Sequence, residues 1–176
     1  TAQNSYHTLA CMRILFADGS VLDTGDEESC SHFVATHGEM ISRIHEMAQR
    51  VKNNPPLADR IRRKFKMKNT TGFSLNALVD FDDPVDIIQH LMIGSEGTLG
   101  FIADITYRTV PDLPHKASSL MLFPNIETAC NAVAALKGSP VDAVEIMDRA
   151  SLRSVEDKES MPSILKRLDE HAAALL

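Results

Sequence analysis

One short segment, residues 91–102, constrains the fold of this chain more than any other part of its sequence. It places Gly94, Gly97 and Gly100 three residues apart, between an apolar helical run and an apolar strand. Glycine at such positions allows positive φ angles or a close approach of the backbone to a bulky group. The segment therefore predicts a tight loop. The loop either holds a ligand or serves the fold alone, as a helix C-cap followed by the bulged start of a strand.

The spacing of these glycines argues against one familiar ligand site. A nicotinamide-binding Rossmann turn has the pattern G-x-G-x-x-G and leads from a strand into a helix. Here the pattern is G-x-x-G-x-x-G, and the loop leads from a helix into a strand. A dinucleotide site of the Rossmann kind is therefore disfavoured, although the backbone N–H groups of such a loop can still donate to carbonyl or phosphate oxygens.

Length and composition narrow the class of protein. The chain has 176 residues, of which 44% are hydrophobic, and this suffices for one globular domain or two small ones. A net charge of −6 argues against nucleic acid as the main partner, because such binding needs an excess of Lys and Arg. The cysteines at 11, 30 and 130 lack C-x-x-C spacing, which predicts neither a disulfide framework nor a zinc site. No apolar run approaches the ~20 residues of a spanning helix. We therefore expect a cytoplasmic location, with peripheral association with a membrane left open.

The first part of the chain predicts a β-hairpin followed by helices. Turn residues separate two short apolar runs near the start, and apolar residues then recur at helical spacing, with Gly38 as the one candidate break. Asp83 followed by Pro84 is typical of a helix N-terminus. The predicted strands are residues 9–16, 21–23 and 101–110, and the predicted helices are residues 27–51, 57–66, 76–78 and 85–92.

The pattern changes after Pro111. Strands are predicted at residues 118–123 and 143–147, and a helix that Asn125 caps is predicted at 126–137. Further helix is expected after the second strand, including a helical run over residues 163–176. This β-α-β-α order indicates the opening half of a separate ferredoxin-like α+β unit, with the boundary near residues 110–115. Because the chain has no initiator Met and its last helical run has no stop signal, we expect it to be a piece of a longer protein.

Two charged runs invite a metal or nucleic-acid assignment, and the spacing of the first and the overall acidity of the chain disfavour these assignments. The carboxylates of residues 80–86 do not match a calcium-binding loop, and a solvated helix N-terminus is favoured. Three partners are compatible with the basic run at residues 60–68: nucleic acid, an acidic protein or the rest of a parent chain. We favour the interpretation that this run forms a solvated face or a face between domains. The histidines form no H-E-x-x-H pattern, so no metal site is predicted.

A second polar turn precedes the glycine loop. Asn69, Thr70, Thr71 and Ser74 surround Gly72 and supply many local hydrogen-bonding groups. Such a turn serves either as a capped loop that enters a helical turn or as a second contact to a ligand.

Residues 68–75 and the glycine loop together resemble the FAD-linked oxidase family, which includes D-lactate, glycolate and D-2-hydroxyglutarate dehydrogenases. Further segments at residues 4–9, 22–28 and 144–148 most resemble the large D-2-hydroxyacid dehydrogenases of this family that carry a C-terminal iron–sulfur part. Among these, they resemble the D-2-hydroxyglutarate type in particular. Phe73 departs from the Tyr that is usual in the family, which removes one hydroxyl group.

The resemblance implies a cofactor, a fold and a division of the chain. In the family, the glycine loop contacts the flavin of FAD, which is held between two α+β lobes. Residues 1–112 then correspond to the second lobe of a PCMH-type FAD-binding domain, and residues 113–176 to the beginning of the substrate-cap domain. The implied cofactor-binding residues are Asn69, Gly72, Gly94, Ser95, Glu96, Gly97, Thr98, Leu99, Gly100, Phe101 and Ile102.

The resemblance also implies a reaction for the parent protein. A hydride passes from C2 of a D-2-hydroxy acid, such as D-2-hydroxyglutarate or D-lactate, to the flavin, and electrons pass on to an acceptor. This chain lacks the pyrophosphate-binding lobe and the substrate-binding residues of the relatives. Its catalytic residues are therefore unknown, the isolated chain is expected to be inactive, and any iron–sulfur cluster lies elsewhere in the parent. The alternative is a non-catalytic α+β interaction domain whose glycine loop is structural.

Overall fold

The computed structural model describes residues 4–67, 72–136 and 138–176. The chain divides into two compact units between Val110 and Pro111. Each unit combines helices with one three-stranded antiparallel sheet, which confirms the predicted α+β class. Within the described residues, none of the helices is both long enough and apolar enough to span a membrane.

The first unit is built on a sheet with strand order β2-β1-β3. The predicted hairpin and the third predicted strand are present, although the third strand ends at Tyr107. The strands are β1 (Leu9–Leu15), β2 (Val21–Asp23) and β3 (Phe101–Tyr107), and the helices are α1 (Ser5–Thr8), α2 (Glu27–Thr36), α3 (Gly38–Lys52), α4 (Pro55–Phe65), α5 (Ala77–Asp80) and α6 (Pro84–Met92).

The helix boundaries follow from local capping. The predicted long helix is two helices, because His37 leaves the helical conformation and α3 begins at the candidate break, Gly38. Helix α4 begins at Pro55, two residues earlier than predicted, because Asn54 caps it and proline at the first helical positions loses no hydrogen bond. Asp83 caps α6 as predicted, since its carboxylate accepts from the Val85 N–H at 2.7 Å. Helix α1 has a single turn and no apolar period, so the sequence pattern does not predict it.

Two β-bulges interrupt the pairing of β1 with β3, and the one on β1 changes which of its side chains face the helices. The register shifts at Ala10 of β1 and at Ala103 of β3, neither of which has a cross-strand partner. An extra residue turns the side chains beyond it to the opposite face. Leu9, Met12 and Ile14 consequently all point towards the helices, although their spacing is three residues and then two.

The core of the first unit lies between the sheet and its helices. Phe33 of α2 and Met92 of α6 form one cluster with Ile14 and Leu22, and all four are almost completely buried. A second cluster joins α3 to α6 around Ala48. The helices therefore cover one face of this sheet and hold the end of α6, from which the glycine loop departs.

The second unit contains the two predicted strands in shorter form. Helix α7 begins as predicted, because the Asn125 side chain accepts from the Thr128 N–H at 2.9 Å. The elements are β4 (Met121–Phe123), α7 (Ile126–Leu136), β5 (Ile146–Met147), α8 (Arg149–Arg153), a 3₁₀ helix (Ser163–Arg167) and β6 (Ala173–Leu175).

The predicted helix over residues 163–176 is wrong. Only the 3₁₀ helix is helical there, and β6 lies between β4 and β5, antiparallel to both. Strands β4 and β5 thus flank an inserted strand, in a split β-α-β arrangement. Alanine has the highest intrinsic helix propensity, but Ala173 and Ala174 are fully buried in the sheet. Burial in tertiary structure overrides the local preference here.

Candidate functional site

The glycine loop begins with a tight turn at the end of α6. Ile93 has extended backbone angles and Gly94 has a φ of +84°. The Ser95 N–H donates to the Met92 carbonyl at 3.1 Å, which closes a type II turn. The turn reverses the chain immediately after the helix and buries Ser95.

A second tight turn follows directly. Glu96 and Gly97 have φ angles of +52° and +77°, and the Thr98 N–H donates to the Ser95 carbonyl at 3.0 Å. Two consecutive positive φ angles define a type I′ turn, in which Asn, Asp or Gly is usual at the first position. Among the described residues, Glu96 is the one non-glycine residue with a positive φ. Such a conformation costs of order 1 kcal/mol, and strain of this kind is concentrated at functional sites.

The three glycines of the loop have different roles. A Cβ atom on Gly94 would lie 2.6 Å from the Gly72 carbonyl oxygen, and one on Gly100 would lie 3.2 Å from Ile14 Cγ2 and from the Leu15 carbonyl oxygen. A Cβ atom on Gly97 would meet nothing within 4 Å. Protein packing therefore explains Gly94 and Gly100, whereas Gly97 faces open space in which a ligand has room.

The second turn leaves backbone donors available. The N–H groups of Ser95 and Thr98 are used within the loop, and the Thr98 hydroxyl donates to the Ser95 carbonyl at 2.6 Å. In the described part of the chain, the N–H groups of Glu96, Gly97 and Leu99 have no acceptor. Adjacent unpaired N–H groups of this kind can bind a carbonyl or phosphate oxygen.

An open groove of about 440 Å³ runs from the loop along β3. Its walls combine the polar turn with apolar side chains of α6 and β3, which suits a flat apolar ring with a polar edge. The groove is lined by Ser5, Met92, Ile93, Gly94, Ser95, Glu96, Gly97, Gly100, Phe101, Ile102, Ile105 and Tyr107. Thr98 and Leu99, which the sequence predicts as site residues, lie in the loop but do not line this groove.

The polar turn around Gly72 contacts the glycine loop. Besides the contact between Gly72 and Gly94, the Ser74 hydroxyl donates to the Ile93 carbonyl at 2.7 Å. A cavity of about 230 Å³ adjoins both phrases and shares Ile93 and Gly94 with the groove. Asn69 was predicted to contact the cofactor, but it lies outside the described residues, as do Lys68, Thr70 and Thr71.

A partly buried polar cluster near the loop is not predicted from the sequence. The Tyr6 hydroxyl donates to the Asp80 carboxylate at 2.8 Å, and the Tyr6 ring lies against His90 of α6. Burial, together with the hydrogen bond to Asp80, raises the pKa of Tyr6. Burial lowers the pKa of His90. No short motif links Tyr6 to Asp80, which are 74 positions apart, so only the fold brings them together.

The described residues of the two charged runs serve the fold or face solvent. Asp83 caps α6, and Asp82 pairs with Lys52 at 2.6 Å. In the part of the chain that the structure describes, no group of three or more His, Cys, Asp or Glu side chains could hold a metal ion. The basic side chains at 60, 62, 63, 64 and 66 are exposed.

Comparison with known proteins finds partial matches to one family. Residues 113–176 match the family "FAD linked oxidases, C-terminal domain". The mitochondrial D-lactate dehydrogenase [cytochrome] of Arabidopsis thaliana is 34% identical over 70 residues, which are 39% of this chain and 12% of that protein. Glycolate oxidase subunit GlcD of Bacillus subtilis (strain 168) is 30% identical over 83 residues, which are 45% of this chain and 18% of that protein. No solved structure matches.

These findings confirm the resemblance seen in the sequence. They support an FAD-linked oxidase family for this chain, of which the matched segments are an internal portion. The matched segments span less than a fifth of the length of either curated relative.

Proposed function

We propose that this chain forms one wall of the flavin site in an FAD-dependent dehydrogenase of D-2-hydroxy acids, such as D-2-hydroxyglutarate or D-lactate. The observation that carries the proposal is Gly97, whose positive φ and open surroundings place a strained turn at the head of an apolar groove. The names of the two relatives add support, because lactate and glycolate are both 2-hydroxy acids.

The residues of the loop fit FAD. The unpaired N–H groups of Glu96, Gly97 and Leu99 suit the carbonyl or phosphate oxygens of the cofactor, and the apolar side chains of β3 suit its ring system. FAD bound at this loop would supply the acceptor for the hydride that leaves C2 of the substrate. The part of this chain is to bind and orient the cofactor and to exclude water from one side of it.

The remaining functions belong to other parts of the parent protein. In this proposal, residues 1–112 are the second lobe of a PCMH-type domain, and residues 113–176 begin a ferredoxin-like substrate cap. The split β-α-β arrangement of β4, α7 and β5 around β6 supports the second assignment. The catalytic residues, the contact with the electron acceptor and any iron–sulfur cluster then lie outside this chain. Three free cysteines support a cytoplasmic location.

One observation favours a second candidate, a non-catalytic interaction domain. Protein packing explains Gly94 and Gly100, and the positive φ required by the type I′ turn explains Gly97 without a ligand. If the chain is an interaction domain, a larger side chain in place of Gly97 does not change flavin content, because no cofactor binds at the loop. The two candidates therefore differ most sharply at this residue.

The test uses the full-length parent protein. Gly97→Val places a branched side chain in the open space of the groove, and we expect bound flavin per protein to fall at least tenfold. Turnover of a D-2-hydroxy acid with a dye acceptor falls along with the flavin content. In the parent and in the variant, the L-enantiomer is a poor substrate, because a fixed C2 presents only one hydrogen for transfer.

Asp82→Ala is the control, since Asp82 is exposed and lies away from the groove. It should leave flavin content unchanged. Thermal unfolding of the flavin-free variants separates misfolding from exclusion of the cofactor. Full flavin content in Gly97→Val, or a parent without flavin-dependent turnover of any 2-hydroxy acid, would reject the proposed function.

A further inference from the structure

The sheet of the first unit has an outer face that its helices do not cover. On this face, Leu15 of β1 is the direct cross-strand partner of Val21 on β2 and of Phe101 on β3. Their exposed fractions are 41%, 49% and 66%. These three residues form an apolar strip that crosses the whole sheet at the end next to the glycine loop.

The strip is only one residue wide. The next row on the same face consists of Arg13 between Asp23 and Asp104, with ion pairs of 2.8 and 3.4 Å. A second sheet or a helix that packs on a sheet needs apolar side chains in successive rows. The charged row therefore makes this face unsuited to a packed protein layer, while a narrow apolar strip stays available.

The strip meets the groove of the glycine loop at one residue. Phe101 belongs to both, and Gly100 packs directly on the Leu15 backbone. Because neighbouring strands lie about 4.8 Å apart, a row of three residues spans roughly 10 Å. That span suits a flat system of three fused rings.

We propose that the apolar strip extends the cofactor site and that Leu15, Val21 and Phe101 contact the ring system of the flavin. This inference rests on the proposed function. The strip receives the uncharged, aromatic part of the cofactor, while the unpaired N–H groups of the loop receive its oxygen acceptors. Covering the strip with the ring removes apolar surface from water, which stabilises the complex.

The experiment measures FAD binding to the flavin-free parent protein. Leu15→Glu places a charge in the middle of the strip, and we expect the Kd for FAD to rise at least tenfold. The matched control is Val34→Glu on α2, because Val34 is equally exposed, at 41%, and lies outside the strip. It should leave the Kd unchanged. Thermal unfolding of both flavin-free variants provides a readout that does not depend on activity.

Each outcome decides the matter. Weaker FAD binding by Leu15→Glu, with unchanged stability of the flavin-free protein, supports the inference. A lower unfolding temperature of flavin-free Leu15→Glu shows that another segment of the protein covers the strip and overturns it. An unchanged Kd also overturns it. If Leu15→Glu leaves the Kd unchanged but Gly97→Val depletes flavin, only the inference about the strip fails and the proposed function stands. If neither variant changes flavin binding, both the inference and the proposed function are rejected.

Discussion

The two sheets of this chain each have three strands but differ in their surroundings. Helices cover one face of the β2-β1-β3 sheet, and the other face carries the apolar strip and a row of ion pairs. Both faces of the β4-β6-β5 sheet are covered within its unit. Ala173 and Leu175 of β6 lie in a cluster with Ala129 of α7, and Ala174 lies in a separate cluster with Leu152.

The difference shows how burial shapes a strand sequence. A sheet covered on one face alternates apolar and polar side chains, whereas a strand buried on both faces is apolar at every position. Strand β1 follows the first rule at Ile14, inside, and Arg13, outside, and departs from it at Leu15, which belongs to the apolar strip. Strand β6 follows the second rule with Ala-Ala-Leu.

The largest effect is expected from a charge in β6. Ala174 is fully buried, so the carboxylate of Ala174→Asp has neither water nor a partner, and a buried charge without compensation costs about 4 kcal/mol. We expect the second unit to unfold while the first stays folded. Amide hydrogen exchange measures this, because protection is lost in β4, β5 and β6 and is retained in β1.

The control for this variant lies in the same sheet. Ile146 of β5 is 43% exposed, so Ile146→Asp leaves its charge in water. It should change the free energy of unfolding by less than about 1 kcal/mol, as is usual for surface positions. Equal loss of protection in both variants would contradict burial of β6 on two faces.

A smaller effect is expected in the other sheet, where the two faces can be compared at neighbouring residues. Ile14→Ala removes a fully buried side chain and should lower the free energy of unfolding of the first unit by about 3 kcal/mol. Leu15→Ala, on the uncovered face, should lower it by about 0.5 kcal/mol. Both tyrosines, Tyr6 and Tyr107, lie in this unit, so tyrosine fluorescence during urea unfolding reports on it alone. Similar losses for the two variants would show that the outer face is packed.

The same contrast explains how far the sequence predicts the fold. Caps such as Asp83 and Asn125, and the break at Gly38, are local signals, and the structure confirms them. The β6 strand is not predicted because its three successive apolar residues, Ala-Ala-Leu, show no alternation and favour a helix. Its identity depends on β4 and β5, which lie far away in sequence.

The sequence likewise predicts one part of the candidate site and misses another. The glycine spacing predicts the position of the loop, because positive φ angles are a local requirement. The separate roles of the glycines are not local, since Gly94 is needed against Gly72 and Gly100 against β1. The apolar strip is invisible in the sequence, because only the register of β1 with two strands brings Leu15 beside Val21 and Phe101.

The smallest effect on stability is expected from a fall in pH. It should differ between the two units, because their histidines differ in burial. His90 is buried in the first unit, stacks on Phe81 with ring centroids 4.0 Å apart, and has its Nδ1 2.7 Å from the Asp86 carbonyl oxygen. A carbonyl only accepts, so Nδ1 carries the proton in the neutral ring. The second unit has exposed histidines at 115 and 171.

Burial lowers the pKa of His90 below its ordinary value of 6.5, and the hydrogen bond to Asp86 with the nearby Asp86 and Asp80 charges offsets only part of this effect. Because the folded pKa is the lower one, the neutral ring contributes stability that is complete above about pH 6.5 and is lost as the pH falls through the folded value. The first unit should therefore lose more stability than the second between pH 7.5 and pH 5. Urea unfolding followed by tyrosine fluorescence measures the loss, and His90→Phe, which cannot be protonated, should reduce it. An unchanged pH dependence in His90→Phe would assign the acid sensitivity to another group.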